Sequence, residues 1–290
     1  MKKFNSVEKA AYLNNRTYSN WFNRFYSIAL SRFEWINLPD TIDERYLELS
    51  LFWRGASLFF IDDVMGYLAL PLMSNSPLNV YGIPTLRMAY SYGYTSDTMT
   101  PENSVIIYNN YTRTPDSEQI KMYSLRLYEI ERSIDTNVKA QKTPILIECE
   151  DKSRFSLLNL YEQYDGNIPI IFSKKGGITG TINSIKTDAP FVADKLQILK
   201  HQYFQEAMNF LGVEANTSEK TERQVTDEIT TNMGSTEASR QSALNARKQA
   251  CEQINKLFGL NIDCRFRSNL KLSQLMENDG EMESEENGEI

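Results

Sequence analysis

From Asp116 to Lys142 the chain carries neither glycine nor proline, while Ile120, Tyr123, Leu127, Ile130, Ile134 and Val138 recur at intervals of three or four. That spacing is one apolar stripe on a helix, and at 1.5 Å per residue it predicts a rod of about 40 Å. Thr114-Pro115-Asp116 supplies an N-cap, a proline at the first helical position and an acid at the positive helix end. Lys139 and Lys142 sit at the negative end, and Pro144 stops the helix. Met122 and Leu125 give the rod a second apolar ridge. A second rod is predicted from about Asp188 or Ala189 to Leu211, with Pro190 in its first turn and Gly212 as its C-terminal stop. Between the rods, Pro144–Glu148 and Ile168–Ser173 read as strands, a short helix is expected at Phe155–Tyr164, and Lys174–Gly177 is a turn. A chain that climbs one long helix, forms a small β-rich cap and descends another is unusual for a compact enzyme.

The flanks differ. Residues 1–113 are rich in aromatics and broken by Pro39, Pro71, Pro77, Pro84 and Pro101. Short helices are expected near Asn20–Trp35 and Ile42–Ser57, and a strand at Val105–Tyr108. Tyr90, Tyr92 and Tyr94 alternate with small residues, which predicts one face of a sheet. Together these make a mixed α/β domain with a small β unit. Val213–Gly234 is polar, without an apolar stripe, and is read as either disordered or a functional loop. A third helix is predicted over Thr236–Phe258 from Ala243, Ala246, Ala250, Ile254 and Leu257, ending at Gly259, and a strand over Asn261–Arg267. After Leu272 the tail is acidic and poor in apolar residues, so disorder is expected there.

Charge narrows the function. The chain has 31 basic and 38 acidic residues, net −7, and seven of the acids lie in Glu277–Ile290. The body is therefore neutral, which argues against a protein that grips nucleic acid through a broad basic face. Cys149, Cys251 and Cys264 lack CxxC spacing and read as buried thiols in a reducing compartment. The start has no apolar h-region, and Asp62 and Asp63 interrupt the apolar Leu58–Met73 stretch, so neither a secretory signal nor a membrane span is expected. The Asn-x-Ser/Thr matches at Asn15, Asn110 and Asn216 then carry no meaning for glycosylation. A soluble, intracellular product with no membrane partner is expected.

Catalytic patterns are weak. The one histidine, His201, lies within the second rod, so HExxH is excluded and packing is its ordinary role. Lys174-Lys175-Gly176-Gly177-Ile178-Thr179-Gly180 has the glycine density of a phosphate loop but lacks its Gly-Lys-Ser/Thr ending. Asp62-Asp63, Glu148 with Glu150, and Asp227-Glu228 are paired carboxylates with no second cluster to complete a two-metal site. The three tyrosines would need a basic groove to stack bases, and only Arg87 is near. The reading is not an enzyme, with no catalytic residue, metal or cofactor.

Several blocks taken in order carry a resemblance. They are Phe33–Pro39 (FEWINLP), Val105–Asn110 (VIIYNN), Ala140–Ile147 (AQKTPILI), Lys186–Pro190 (KTDAP), Glu222–Glu228 (ERQVTDE) and Ala250–Asn261 (ACEQINKLFGLN), with the acidic run Glu283–Glu286. This pattern resembles the upper collar, portal or head–tail connector proteins of short-tailed phages with protein-primed genomes. The resemblance implies an α+β fold assembled as a ring of twelve at a capsid vertex, through which double-stranded DNA is packaged and ejected. It implies a late virion protein made in the host cytoplasm, whose partners are its own copies, capsid protein, lower collar and tail proteins, the packaging ATPase and, in some members, a packaging RNA.

On that resemblance, 1–113 and 235–272 form a mixed α/β wing, for which an SH3-like β unit is one form. Residues 114–142 and 188–213 are the stem helices, 143–187 the β-rich clip, 214–234 a channel loop, and 273–290 a disordered tail. Lys220 and Arg223, in a loop that is otherwise acidic, and Lys200, on the second rod, are the candidate DNA contacts. A stem of about 40 Å would face about a dozen base pairs, and near-neutral walls let DNA slide. Lys2 and Lys3 are the candidate motor or packaging-RNA contacts. The arm departs from RNA-docking relatives, because Lys9, Arg16 and Arg24 are diluted by Glu8. A lower collar or tail adaptor, or a replication protein that binds nucleic acid, are the alternatives.

Overall fold

A computed structural model describes residues 6–73, 77–141, 145–149, 170–174, 190–214 and 226–267. Its contacts divide the chain into two units, one of Met1–Thr17 with Arg126–Gln202 and the other of Tyr18–Leu125 with Tyr203–Ile290. The long helices include α1 (Ser6–Ser31), α3 (Ser117–Ala140) and α4 (Ala193–Leu211).

The larger unit is built on a three-stranded antiparallel sheet. Strands β2 (Ala56–Asp62), β3 (Gly66–Pro71) and β6 (Ser104–Tyr108) lie in the order β3-β2-β6. The alternation of β2 divides two cores. Phe59 faces Leu47 and Leu51 of helix α2 (Glu44–Arg54), Ala69, Val105, Ile107, and Ala243, Ala250 and Ile254 of helix α5 (Thr226–Phe258). Leu58 and Phe60 face the other way, onto Ile83, Ala89, Tyr94, Met99 and Ile106. Period-two side chains on a sheet covered on both faces explain why this stretch reads as nearly continuous apolar sequence. Helix α2 is short and sharply bounded: Asp43 accepts the Tyr46 N–H at its start, and the Gly55 N–H returns to Leu51 at its end.

Strand β1 (Phe33–Ile36) pairs antiparallel with β9 (Asp263–Phe266), Trp35 opposite Cys264, and so ties the two ends of this unit together. This corrects the helix expected over Asn20–Trp35. The helix stops at Ser31, because Phe33 and Trp35 are buried alternately in a ladder whose partner is some 230 residues away.

The tyrosine alternation is corrected as well. Strands β4 (Tyr90–Ser91) and β5 (Tyr94–Thr95) form a two-stranded hairpin, so Tyr92 sits at its turn and is 94% exposed rather than on a sheet face.

Helix α5 begins at Thr226, which takes the second half of the expected 214–234 loop into the helix. Asp227 and Glu228 suit the positive first turn. Gly234 looks like a stop in sequence, yet it continues the helix, at a cost of about 1 kcal/mol relative to alanine.

In the smaller unit, α3 and α4 are joined side to side. The Asn137 amide donates to the Pro190 carbonyl at 2.9 Å and accepts the Val192 N–H at 3.0 Å, just ahead of α4. Pro190 therefore precedes the helix instead of filling its first turn. Strands β7 (Ile145–Cys149) and β8 (Ile170–Lys174) pair in parallel, Ile145 opposite Ile170. The short helix expected at Phe155–Tyr164 lies outside the described residues.

The start of α3 shifts too. The Asp116 carbonyl accepts the Ile120 N–H, so Asp116 takes the capping position expected of Thr114, while the Thr114 carbonyl receives the amides of Asn109 and Asn110. Along α3, Ile120, Leu127 and Ile130 are buried, as the stripe predicts, but its last member Val138 is exposed, as are Met122 and Leu125. Helix α4 ends at Gly212 with φ +73, and the Val213 N–H returns to the Met208 carbonyl. A Cβ at Gly212 would lie 2.8 Å from the Arg240 Cα, so the close approach of α5 also requires glycine there.

Candidate functional site: buried charges and exposed apolar surfaces

The deepest charge in the larger unit is Arg247, fully buried on α5. Its position follows from the helix register, one step from Ala243, Ala250 and Cys251 and two from Ile254 on the face turned to the core. A charged group there is stable only when every donor is answered. Nη2 and Nε donate to the two Glu48 carboxylate oxygens at 2.7 and 2.9 Å, a bidentate pair with α2. Nη1 donates to the carbonyls of Asn109 (2.6 Å) and Ala243 (3.2 Å). The guanidinium carbon lies 4.0 Å from the Phe33 ring centroid. Glu48 Oε1 also accepts the Trp35 indole N–H at 2.9 Å. Burial pulls the Arg247 guanidinium down, but the Glu48 charge and hydrogen bonds outweigh it and hold it above the ordinary arginine value.

A second buried pair joins Arg32 to Asp116, with Arg32 also donating to the Leu211 carbonyl at the end of α4. Here burial dominates and lowers the guanidinium below its ordinary value despite Asp116. Together the two pairs lock β1, α2, β6, the start of α3, the end of α4 and α5 into one body. Sequence reading did not foresee them; the available signal was Arg247 standing on an apolar register. They hold the structure, and they offer no open position for a substrate.

Of the paired carboxylates, Asp62 behaves likewise. Asp62 Oδ1 accepts the N–H groups of Val64 and Met65, and Oδ2 accepts the Tyr94 hydroxyl at 2.8 Å. The Met65 N–H, the Tyr94 hydroxyl and the Val64 N–H hold the carboxyl below its usual range. Burial and then the Asp62 bond push Tyr94 up to about 12. Asp62 thus closes the β2–β3 turn. His201 meets the Gln197 amide at 3.2 Å, and no group of three potential metal ligands occurs among the described residues. No described helix is long and apolar enough to cross a membrane.

Of the residues singled out for DNA, Lys200 is half-buried on α4, with Nζ 2.6 Å from Glu131 Oε1 of α3. Its charge is answered within the protein. Lys220, Arg223, Lys2 and Lys3 lie outside the described residues, as does the glycine-rich 175–180 segment. Cys251 and Cys264 are buried free thiols, held in the protonated form first of all by desolvation.

What the larger unit does present is apolar surface. Phe22 and Tyr26 of α1 pack at a tilt against Trp53 of α2, with ring centroids 5.9 and 6.2 Å apart, and the Lys121 ammonium of α3 covers the same indole at 5.3 Å. Trp53, Met122 and Leu125 are exposed. Two buried ion pairs hold the larger unit, and tryptophan, methionine and leucine side chains stay partly in water on its surface.

The chain belongs to the phage connector family, whose description, Phage Connector (GP10), matches residues 1–271. It is therefore a component of the virion, of the portal or head–tail connector kind. Among solved structures it is similar to a chain of the portal and tail of native bacteriophage P68, with 18% identity over 99% of each chain and a TM-score of 0.49.

Proposed function

We propose that this connector is the portal through which double-stranded DNA enters and leaves the capsid. Twelve copies close into a ring at one vertex, and its channel conducts the genome during packaging and ejection. Its outer end docks the packaging ATPase, and in members that use one a packaging RNA, and later the lower collar and tail; its wide end meets the capsid protein. The observation that carries this reading is the family match over residues 1–271. The long α3 and α4, about 36 and 28 Å, serve as the stem, 143–187 as the clip, and 1–113 with 235–272 as the wing.

The polar segment 214–225, with Lys220 and Arg223, faces DNA in this scheme. Lys200 can meet a phosphate only by giving up Glu131, so its contact is transient. A near-neutral wall lets the duplex slide, because each phosphate held would release counterions and slow motion. Lys2 and Lys3 are the contacts for the motor or RNA.

Native mass spectrometry of the purified protein tests the assembly. A dominant species of twelve subunits supports the reading, and a monomer at micromolar concentration would remove it.

A further inference from the structure

Cations converge where helix α2 passes into strand β2. Arg54 is the last residue of α2, and its guanidinium carbon lies 5.8 Å from the Tyr90 ring centroid. Arg113 stands over Tyr108 at 4.7 Å, and Tyr108 is the residue paired with Ala56 at the start of β2. Lys121 stands over Trp53, the neighbour of Arg54, at 5.3 Å. The three meet at one place because the loop after β6 is pressed onto the end of α2. A Cβ at Gly55 would lie 2.9 Å from the Thr114 carbonyl carbon and 3.1 Å from the Arg113 carbonyl oxygen.

These charges are largely unanswered. Lys121 shares Glu118 at 2.8 Å, whereas Arg54 and Arg113 are exposed and meet no carboxylate among the described residues. On the same unit, Arg240, Arg265 and Arg267 each pair with one. Exposed guanidinium groups beside aromatic rings are the elements that hold a polyanion.

The chain carries a polyanion of its own. Seven acids and no base lie in Glu277–Ile290, while the remainder of the sequence is neutral. The root of that segment is close to the cations. Strand β9 brings the chain to Arg267, whose Nη2 donates to Glu44 Oε1 at 3.4 Å in the first turn of α2. Along α2 it is about 15 Å from Glu44 to Arg54, and the ten residues from Arg267 to Glu277 span up to about 33 Å. A tether of this length gives an effective concentration of about millimolar. Three weak surface contacts then suffice for the tethered acids, and a free polyanion making the same contacts lacks that advantage.

We infer that the acidic run Glu277–Glu289 lies across Arg54, Arg113 and Lys121 of its own chain and screens them from other polyanions, nucleic acid above all. The inference stands apart from the ring reading, since root and cations belong to the larger unit of one copy.

Two experiments on the full chain test it. Carbodiimide coupling read by mass spectrometry should join the Lys121 amine to tail carboxylates at about 50 mM salt. Those links should fall about five-fold or more at 1 M salt, where the Debye length is about 3 Å. A variant with the seven tail acids changed to amides should bind a labelled DNA strand of about twenty nucleotides about ten-fold tighter than wild type in fluorescence anisotropy. Arg54→Ala with Arg113→Ala should remove that gain. Absence of Lys121–tail links overturns the contact, and unchanged DNA binding by the amide variant overturns the screening. If Arg54→Ala with Arg113→Ala weakens DNA binding equally in the wild-type and amide-tail chains, the cluster is an open nucleic-acid site and the inference falls. When Lys121→Arg chains are coexpressed with amide-tail chains, every Lys121–tail link joins two copies. Links there as frequent as in wild type assign the tail to a neighbouring copy and overturn the inference as well.

Discussion

Removing Glu48 tests the buried lock directly. In Glu48→Ala the Arg247 guanidinium keeps its charge, keeps the carbonyls of Asn109 and Ala243, and loses both carboxylate oxygens; the Trp35 indole loses its acceptor as well. An unpaired buried charge costs about 3–5 kcal/mol, and the orphaned indole N–H adds about 1 kcal/mol or more. For a cooperative unit of the size of Tyr18–Leu125 with Tyr203–Ile290, each kcal/mol moves Tm by about 2–4 °C, so a fall of about 8–24 °C is expected. Differential scanning calorimetry at one fixed protein concentration measures it, because assembly makes Tm concentration-dependent. The double variant Glu48→Leu, Arg247→Met replaces the pair with apolar groups of similar size and should recover most of the loss, since the large penalty belongs to the orphan and not to the pair. A single variant within 1 kcal/mol of wild type, or a double variant as unstable as the single, would refute this reasoning.

Other expectations are independent of it. Gly212→Ala should destabilise by more than 1 kcal/mol in urea titration, because φ there is +73 and Arg240 leaves no room for a Cβ, whereas Gly234→Ala, in open helix, should stabilise by about 0.5–1 kcal/mol. Burial holds the Cys251 thiol up to about 12 against an ordinary 9, so between those pH values the unfolded chain releases a proton that the folded chain keeps. Stability is fully present below pH 9 and falls as pH rises, and Cys251→Ala should flatten that fall in pH-dependent unfolding. Lys220→Ala with Arg223→Ala should lower the genome retained per capsid; unchanged packaging and retention would take both residues out of the mechanism.

Local features were readable in the sequence and distant ones were not. The α3 stripe, the Gly212 stop and the Ser104–Tyr108 strand follow from spacing within a dozen residues, and the structure has them. Phe33–Ile36 follows a helical run and becomes a strand only because Asp263–Phe266 reaches it, a pairing no window on the sequence contains. The start of α5 escaped for a different reason: its first two turns carry no apolar stripe, and Gly234 resembles a stop. Tyr92 shared the period of its neighbours yet fell on a turn, since a strand of two residues cannot carry the alternation further. As for the candidate site, Lys200 stood out as a cation on a helix, but sequence could not show that Glu131 on another helix answers it. Arg247 and Glu48, which hold the larger unit together, are 199 positions apart.

The central claim is that α3 and α4 are staves of a hollow ring. An electron cryomicroscopy map of the purified protein tests it most directly: the account predicts a closed ring with a through-hole at least as wide as duplex DNA, with α3 and α4 forming its wall. A particle without a hole, or one whose hole is walled by other parts of the chain, would contradict it.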